Sequence, residues 1–90
     1  MEAEIGRVMH YYDHIQVAVV ALSGVLKLGD QIHIHGHTTD FSQRIASMEI
    51  DHESVLWAKP GDHVAIKVHQ PVHAHDEVDM VIEQAMVSQG

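Results

Sequence analysis

The dipeptide Gly-Asp stands twice directly ahead of an alternating apolar run, and this repeat limits the possible folds more than any other feature of the chain. In KLGDQIHI, Gly29-Asp30 precedes Ile32 and Ile34; in KPGDHVAIKV, Pro60-Gly61-Asp62 precedes Val64, Ile66 and Val68. Pro followed by Gly suits the two central positions of a type II turn, where glycine takes a positive φ. The alternation after each turn places apolar side chains on one face of a half-buried strand. Ile32, Ile34, Val64, Ile66 and Val68 are therefore predicted to share one core. Apolar and β-branched runs over residues 5–12 and 15–22, separated by Asp13-His14, read as two more strands. Residues 41–50 read as another strand whose imperfect alternation calls for a β-bulge. Short strands with closely spaced turn signals predict an all-β fold, a small closed barrel of six or seven strands.

Ninety residues supply one domain, spanning residues 1–90. Without cysteine there is no disulfide framework, thiolate metal site or cysteine nucleophile. Thirteen acidic against five basic residues leave a formal charge of −8, which disfavours unaided binding to duplex nucleic acid. The ten histidines qualify that figure, because protonating all of them would take −8 to +2. The longest apolar run, VAVVAL at residues 17–22, is too short to span a bilayer. The opening MEAEIGRVMHYY carries acids and an arginine where a signal peptide needs an apolar stretch. These features lead to the expectation of a soluble, cytoplasmic protein with no membrane partner.

The two turn-and-strand units, LKLGDQIHI and AKPGDHVAIKV, resemble domain 2 of translation elongation factor Tu, a small β-barrel in which Gly-Asp turns open two strands. GHTTDF at residues 36–41, SMEIDHE at 47–53 and PVHAHDEV at 71–78 resemble short stand-alone elongation factor-like proteins. They are also similar to the C-terminal barrel of collagenase-like peptidases. The likeness covers about residues 4–82, which sets the expected core and leaves 83–90 as a tail. It implies a closed barrel of the elongation factor Tu domain 2 type. It also implies a non-enzymatic binding module of translation or tRNA metabolism, acting through a protein or ribonucleoprotein partner. His75 stands where the family has glycine before the third Asp, which puts the last hairpin's geometry in question. No phosphate loop and no length for a GTPase domain are present, so the chain is no complete elongation factor. Val78, Val81, Ile82, Ala85 and Met86 fit a helical period while Val78, Met80 and Ile82 alternate as a strand. The resemblance favours a strand to about Ile82 and then a frayed or briefly helical tail.

The chemistry-bearing residues concentrate in HIHGHTTDF, residues 33–41. On a strand whose Ile32 and Ile34 face the core, His33 and His35 share the outer face and could reach one metal ion, with His37 as a third ligand. Imidazole suits zinc, nickel and copper. A histidine-dependent zinc or nickel protein is thus the alternative function, beside opportunistic metal capture with no resident cofactor. His37, Thr38, Thr39 and Asp40 form a candidate binding loop, although Thr and Asp there also serve as ordinary turn formers. His73 and His75 make a second possible ligand pair. Glu49, Asp51, His52 and Glu53 form an acidic cluster that could bind a cation, although it reads first as a solvated strand end. Tyr11 and Tyr12 point to opposite faces, and Trp57 beside the Pro60-Gly61 turn is placed at the barrel mouth. With no G-x-S-x-G, thiol or H-E-x-x-H, catalysis finds no support.

Overall fold

The computed structural model describes residues 1–82, and the expected tail at 83–90 lies outside the described residues. The described chain is all β. Its strands are β1 (Glu2–Tyr12), β2 (Val17–Leu22), β3 (Leu26–Lys27), β4 (Gln31–His35), β5 (Asp40–Arg44), β6 (Met48–Ile50), β7 (Glu53–Ser54), β8 (Trp57–Ala58), β9 (His63–Lys67) and β10 (Glu77–Val81). Eight form one antiparallel sheet in the order β5-β4-β10-β1-β2-β9-β6-β7, and β3 pairs with β8 in a separate two-stranded sheet.

The Gly-Asp turns behave as their composition requires. Gly29 and Gly61 take φ of 91° and 95°. The Asp30 and Asp62 N–H groups donate to the Lys27 and Lys59 carbonyls, each at 3.0 Å. Each aspartate also accepts the N–H three residues back, Lys27 to Asp30 Oδ2 at 2.8 Å and Lys59 to Asp62 Oδ2 at 3.0 Å. The Lys59 backbone N–H and then its ammonium hold the Asp62 carboxyl below the usual range. A third copy of this turn occurs at His73–Asp76. The Asp76 N–H donates to His73 O at 3.1 Å, and Asp76 Oδ2 accepts from the His73 N–H at 2.8 Å. His75 fills the glycine position with φ 78°, so the departure from glycine alters strain and leaves the turn geometry in place.

Ile32, Ile34, Val64, Ile66 and Val68 are all buried in one cluster with Val8, Val20, Leu26, Phe41 and Val78, as the alternation predicts. Tyr11 packs against this core while Tyr12 is exposed. Two expectations are corrected. Residues 41–50 form two strands, with Ile45, Ala46 and Ser47 outside either, while the irregular registers lie in β1 between Glu4 and Gly6 and between Val8 and His10. The closed barrel is not formed, because the ladder runs from β5 to β7 without joining its ends. Among the described residues, β5 pairs in the ladder with β4 alone. A side chain takes the place of a second partner: Gln43, 4% exposed, donates through Nε2 to Lys67 O at 2.9 Å and accepts the His69 N–H through Oε1 at 2.8 Å.

Two predictions follow from these contacts. Gln43→Leu leaves a carbonyl and an N–H without partners and should cost about 1–3 kcal/mol in urea unfolding. His75→Gly relieves a left-handed backbone that costs a non-glycine residue about 1–2 kcal/mol, part of which glycine returns as unfolded-state entropy. It should raise stability by roughly 0.5–1 kcal/mol in the same assay, whereas His75→Val should lower it.

Candidate functional site

The outer face of β1, β4 and β10 gathers most of the polar chemistry. Because Ile32, Ile34 and Val78 turn inward, His33, His35, Glu77 and Asp79 turn outward. The register sets His33 opposite Asp79 and His35 opposite Glu77, with Glu4 of β1 across from Asp79 on the other side. The Ile82 N–H donates to Met1 O at 2.8 Å, which fixes the start of β1 beside β10 and brings Glu2 into the group.

His33 is held at both ring nitrogens, with Nδ1 2.9 Å from Glu2 Oε1 and Nε2 2.6 Å from Asp40 Oδ1. His35 Nε2 lies 2.8 Å from Asp79 Oδ2 and 3.4 Å from Glu77 Oε2. The two imidazoles pack with centroids 4.7 Å apart and planes tilted by 32°. Glu2, His33, His35 and Asp79 can each direct one donor atom so that all four atoms lie within 4.8 Å of one another.

The carboxylates shift the imidazoles. Hydrogen bonds to Asp40 and then Glu2 raise the His33 pKa, and the hydrogen bond to Asp79 raises that of His35, in both cases against partial burial. Hydrogen bonding to Asp79 raises the Glu77 carboxyl, followed by its own desolvation. For Asp79, burial opposes the charge, but hydrogen bonds from His35 and Glu77 more than offset it and lower the pKa.

Asp79 is unusual for an outward-facing strand residue. Walled in by its neighbours, it is only 6% exposed, and its Oδ1 is buried without a hydrogen-bond partner among the described residues.

Of the residues picked out by sequence, His33, His35 and Asp40 meet in this cluster. His37 and Thr38 stand at the exposed tip of the β4–β5 hairpin, and His37 is outside the four-donor group. Thr39 is buried, with Oγ1 3.2 Å from His73 Nδ1, and the Gly36 N–H donates to Thr39 O at 2.8 Å. Gly36 itself is required there, since a Cβ would run into the Asp76 carboxylate. The loop read as one binding unit thus divides among an exposed tip, a packing contact and a histidine partner. Trp57, placed by sequence at a barrel mouth, is exposed on the two-stranded sheet.

Glu2 and Asp79 escaped the sequence reading. Asp79 was detectable: it sits three residues after the Asp of its turn, as His33 sits three after Asp30. Glu2 had no comparable signal, because nothing local to it announces the β1–β10 pairing.

No family model matches the chain. It is 40% identical over 81 residues to an uncharacterised protease of Methanocaldococcus jannaschii, a match covering 89% of this chain and 20% of that protein. The chain thus spans about a fifth of the length of the curated relative it matches. Two crystal structures of the C-terminal domain of a Geobacillus thermoleovorans protein assigned to the U32 peptidases share the fold. The selenomethionine form superposes with a TM-score of 0.81 at 22% identity, covering 84% of this chain and 96% of that one. The other gives 0.83 at 21%, covering 88% and 92%.

These likenesses correct the functional expectation. The link to elongation factor Tu, to translation and to tRNA metabolism is overturned, since the curated relative is an uncharacterised protease and the solved structures that share the fold are U32 peptidase C-terminal domains. The likeness to the barrel of collagenase-like peptidases is the part that agrees with them. The physical reason is plain, because the Gly-Asp signal reports a turn geometry that any barrel-like sheet can use. Among the described residues, no helix is long and apolar enough to cross a membrane.

The shifted histidines generate a pH prediction for the metal-free chain, with chelator present. A pKa raised on folding adds stability that is complete below the unfolded value of about 6.5 and is lost as pH rises through the folded value. The facing charges are Glu2, Asp40, Glu77 and Asp79. The stability advantage of the natural chain over the His33→Gln/His35→Gln variant should therefore be larger at pH 6 than at pH 9 in urea unfolding.

Proposed function

We propose that this chain is a non-catalytic accessory domain that docks onto a peptidase-type catalytic unit. The observation carrying the reading is the 40% identity over 89% of the chain to one fifth of a protease. A segment that recurs as a fraction of a larger protein, with the fold of a C-terminal domain, is suited to binding beside the chemistry. The chemistry itself would lie in the other four fifths.

The docking surface on this reading is the two-stranded sheet. Leu26 and Ala58 point into the core, which turns the Lys27–Trp57 pair outward. Trp57 is 57% exposed and Leu56 73%, and Leu28, also exposed, donates its N–H to Leu56 O at 2.9 Å. With Val25 these residues make an apolar patch beside an open depression lined by Val55, Leu56, Trp57, Lys59 and Asp62. An exposed apolar patch with a Trp at its centre has the character of a protein-binding surface.

The test uses the Methanocaldococcus jannaschii protease with the segment matching this chain deleted. This chain, added in trans, should bind the truncated protein, and Leu56→Glu with Trp57→Ala should weaken binding at least about 10-fold, as removal of a buried aromatic anchor does. No association at high micromolar concentration, or peptide hydrolysis by this chain alone, would contradict the reading.

A further inference from the structure

We infer that Glu2, His33, His35 and Asp79 form a binding site for one divalent transition-metal ion of the zinc class on the outer face of β1, β4 and β10. This inference is independent of the accessory-domain reading and concerns a different face of the molecule.

Three observations carry it. The first is the donor set: two imidazoles and two carboxylates, from three neighbouring strands, with ligand atoms within 4.8 Å of one another. Around a tetrahedral ion with bonds of ~2.1 Å, donors stand ~3.4 Å apart. The group is therefore within a small side-chain rotation of coordination. Glu2 and His35, whose side chains are 41% and 34% exposed, have room to make it. Imidazole nitrogen selects against the hard cations calcium and magnesium, and two carboxylates neutralise a divalent charge.

The second observation is Asp79. Ordinary pairing with His35 accounts for Oδ2, yet among the described residues Oδ1 is buried with no hydrogen-bond donor unless the neighbouring Glu77 carboxyl is protonated, a costly arrangement for a carboxylate. A cation held among these four side chains supplies what Oδ1 lacks. Asp40 adds negative charge at the site, whereas Glu4 and Glu77 are paired with Arg7 at 3.1 and 3.9 Å.

The third is the support behind the donors. Asp40 sits 2.6 Å from His33 Nε2, on the side of the ring away from the Nδ1 that faces Glu2. A carboxylate accepting the second ring N–H fixes the tautomer and orientation of a metal-bound histidine. Asp40 is thus a positioning residue for His33, and it lies on β5, whose register with β4 sets it beside the histidines. Binding releases imidazole protons, so affinity should fall as pH is lowered. His37, the third ligand expected from sequence, has no place in this geometry.

The experiment is calorimetric titration of the full chain with Zn2+, alongside the visible spectrum of the Co2+-loaded protein. One ion per chain should bind, with a cobalt spectrum of a low-coordinate nitrogen and oxygen site, and melting temperature should rise with Zn2+ and fall back with chelator. Glu2→Gln, an exposed change that leaves the fold intact, should weaken affinity at least about 10-fold, and His33→Gln at least as much. Asp40→Asn should cost roughly 10-fold, in line with other outer-shell carboxylates. His37→Gln should change nothing. Binding unaffected by Glu2→Gln or by His33→Gln, binding removed by His37→Gln, or no saturable binding each overturns the inference.

Discussion

Three aspartates, each accepting the backbone N–H three residues earlier across a four-residue turn, set the phase of the whole sheet. Asp30, Asp62 and Asp76 are each followed at once by the first residue of a strand, opening β4, β9 and β10 respectively. Two residues past each aspartate comes a core residue, Ile32, Val64 or Val78, all fully buried. A one-residue slip would exchange the two faces of every strand so launched. The clamp prevents it by satisfying two backbone groups within the turn.

The same phase places the chemistry. Three residues past its aspartate, β4 carries His33 and β10 carries Asp79, and the antiparallel register sets the two directly opposite. His35 and Glu77 face each other by the same rule. A repeated turn that organises the core on one side thus assembles the histidine and carboxylate cluster on the other. The cluster gains its order from the sheet, and its exposed pairs contribute little in return, typically about 0–1 kcal/mol.

Much of this was legible in the residues. Alternation after Gly29-Asp30 and Pro60-Gly61-Asp62 identified five core positions and put His33 and His35 on one outer face. What stayed hidden was non-local. The β1–β10 and β4–β10 pairings, which deliver Glu2 and Asp79, join segments too far apart for spacing to reveal. The open sheet was equally invisible, because nothing in the spacing shows that a glutamine amide, and not a ladder, links β5 to the end of β9. His75 left the third turn's geometry in question by occupying the glycine place, where it takes φ 78°. The likeness to a translation factor failed for a related reason, as the turns that carried it describe backbone geometry and no partner.

The molecule carries two surfaces of different kinds, an apolar one on β3 and β8 suited to a protein and a nitrogen and oxygen cluster on β1, β4 and β10 suited to a metal ion. The central claim is that the buried Asp79 carboxylate and its neighbours form a true coordination centre. The most direct measurement is anomalous X-ray scattering at the zinc edge from crystals grown with equimolar Zn2+. The account predicts one dominant peak, with bonds of ~2.0–2.2 Å to His33, His35, Glu2 and Asp79. A strongest peak at His37, at the His73 and His75 pair, or shared between lattice neighbours would contradict it.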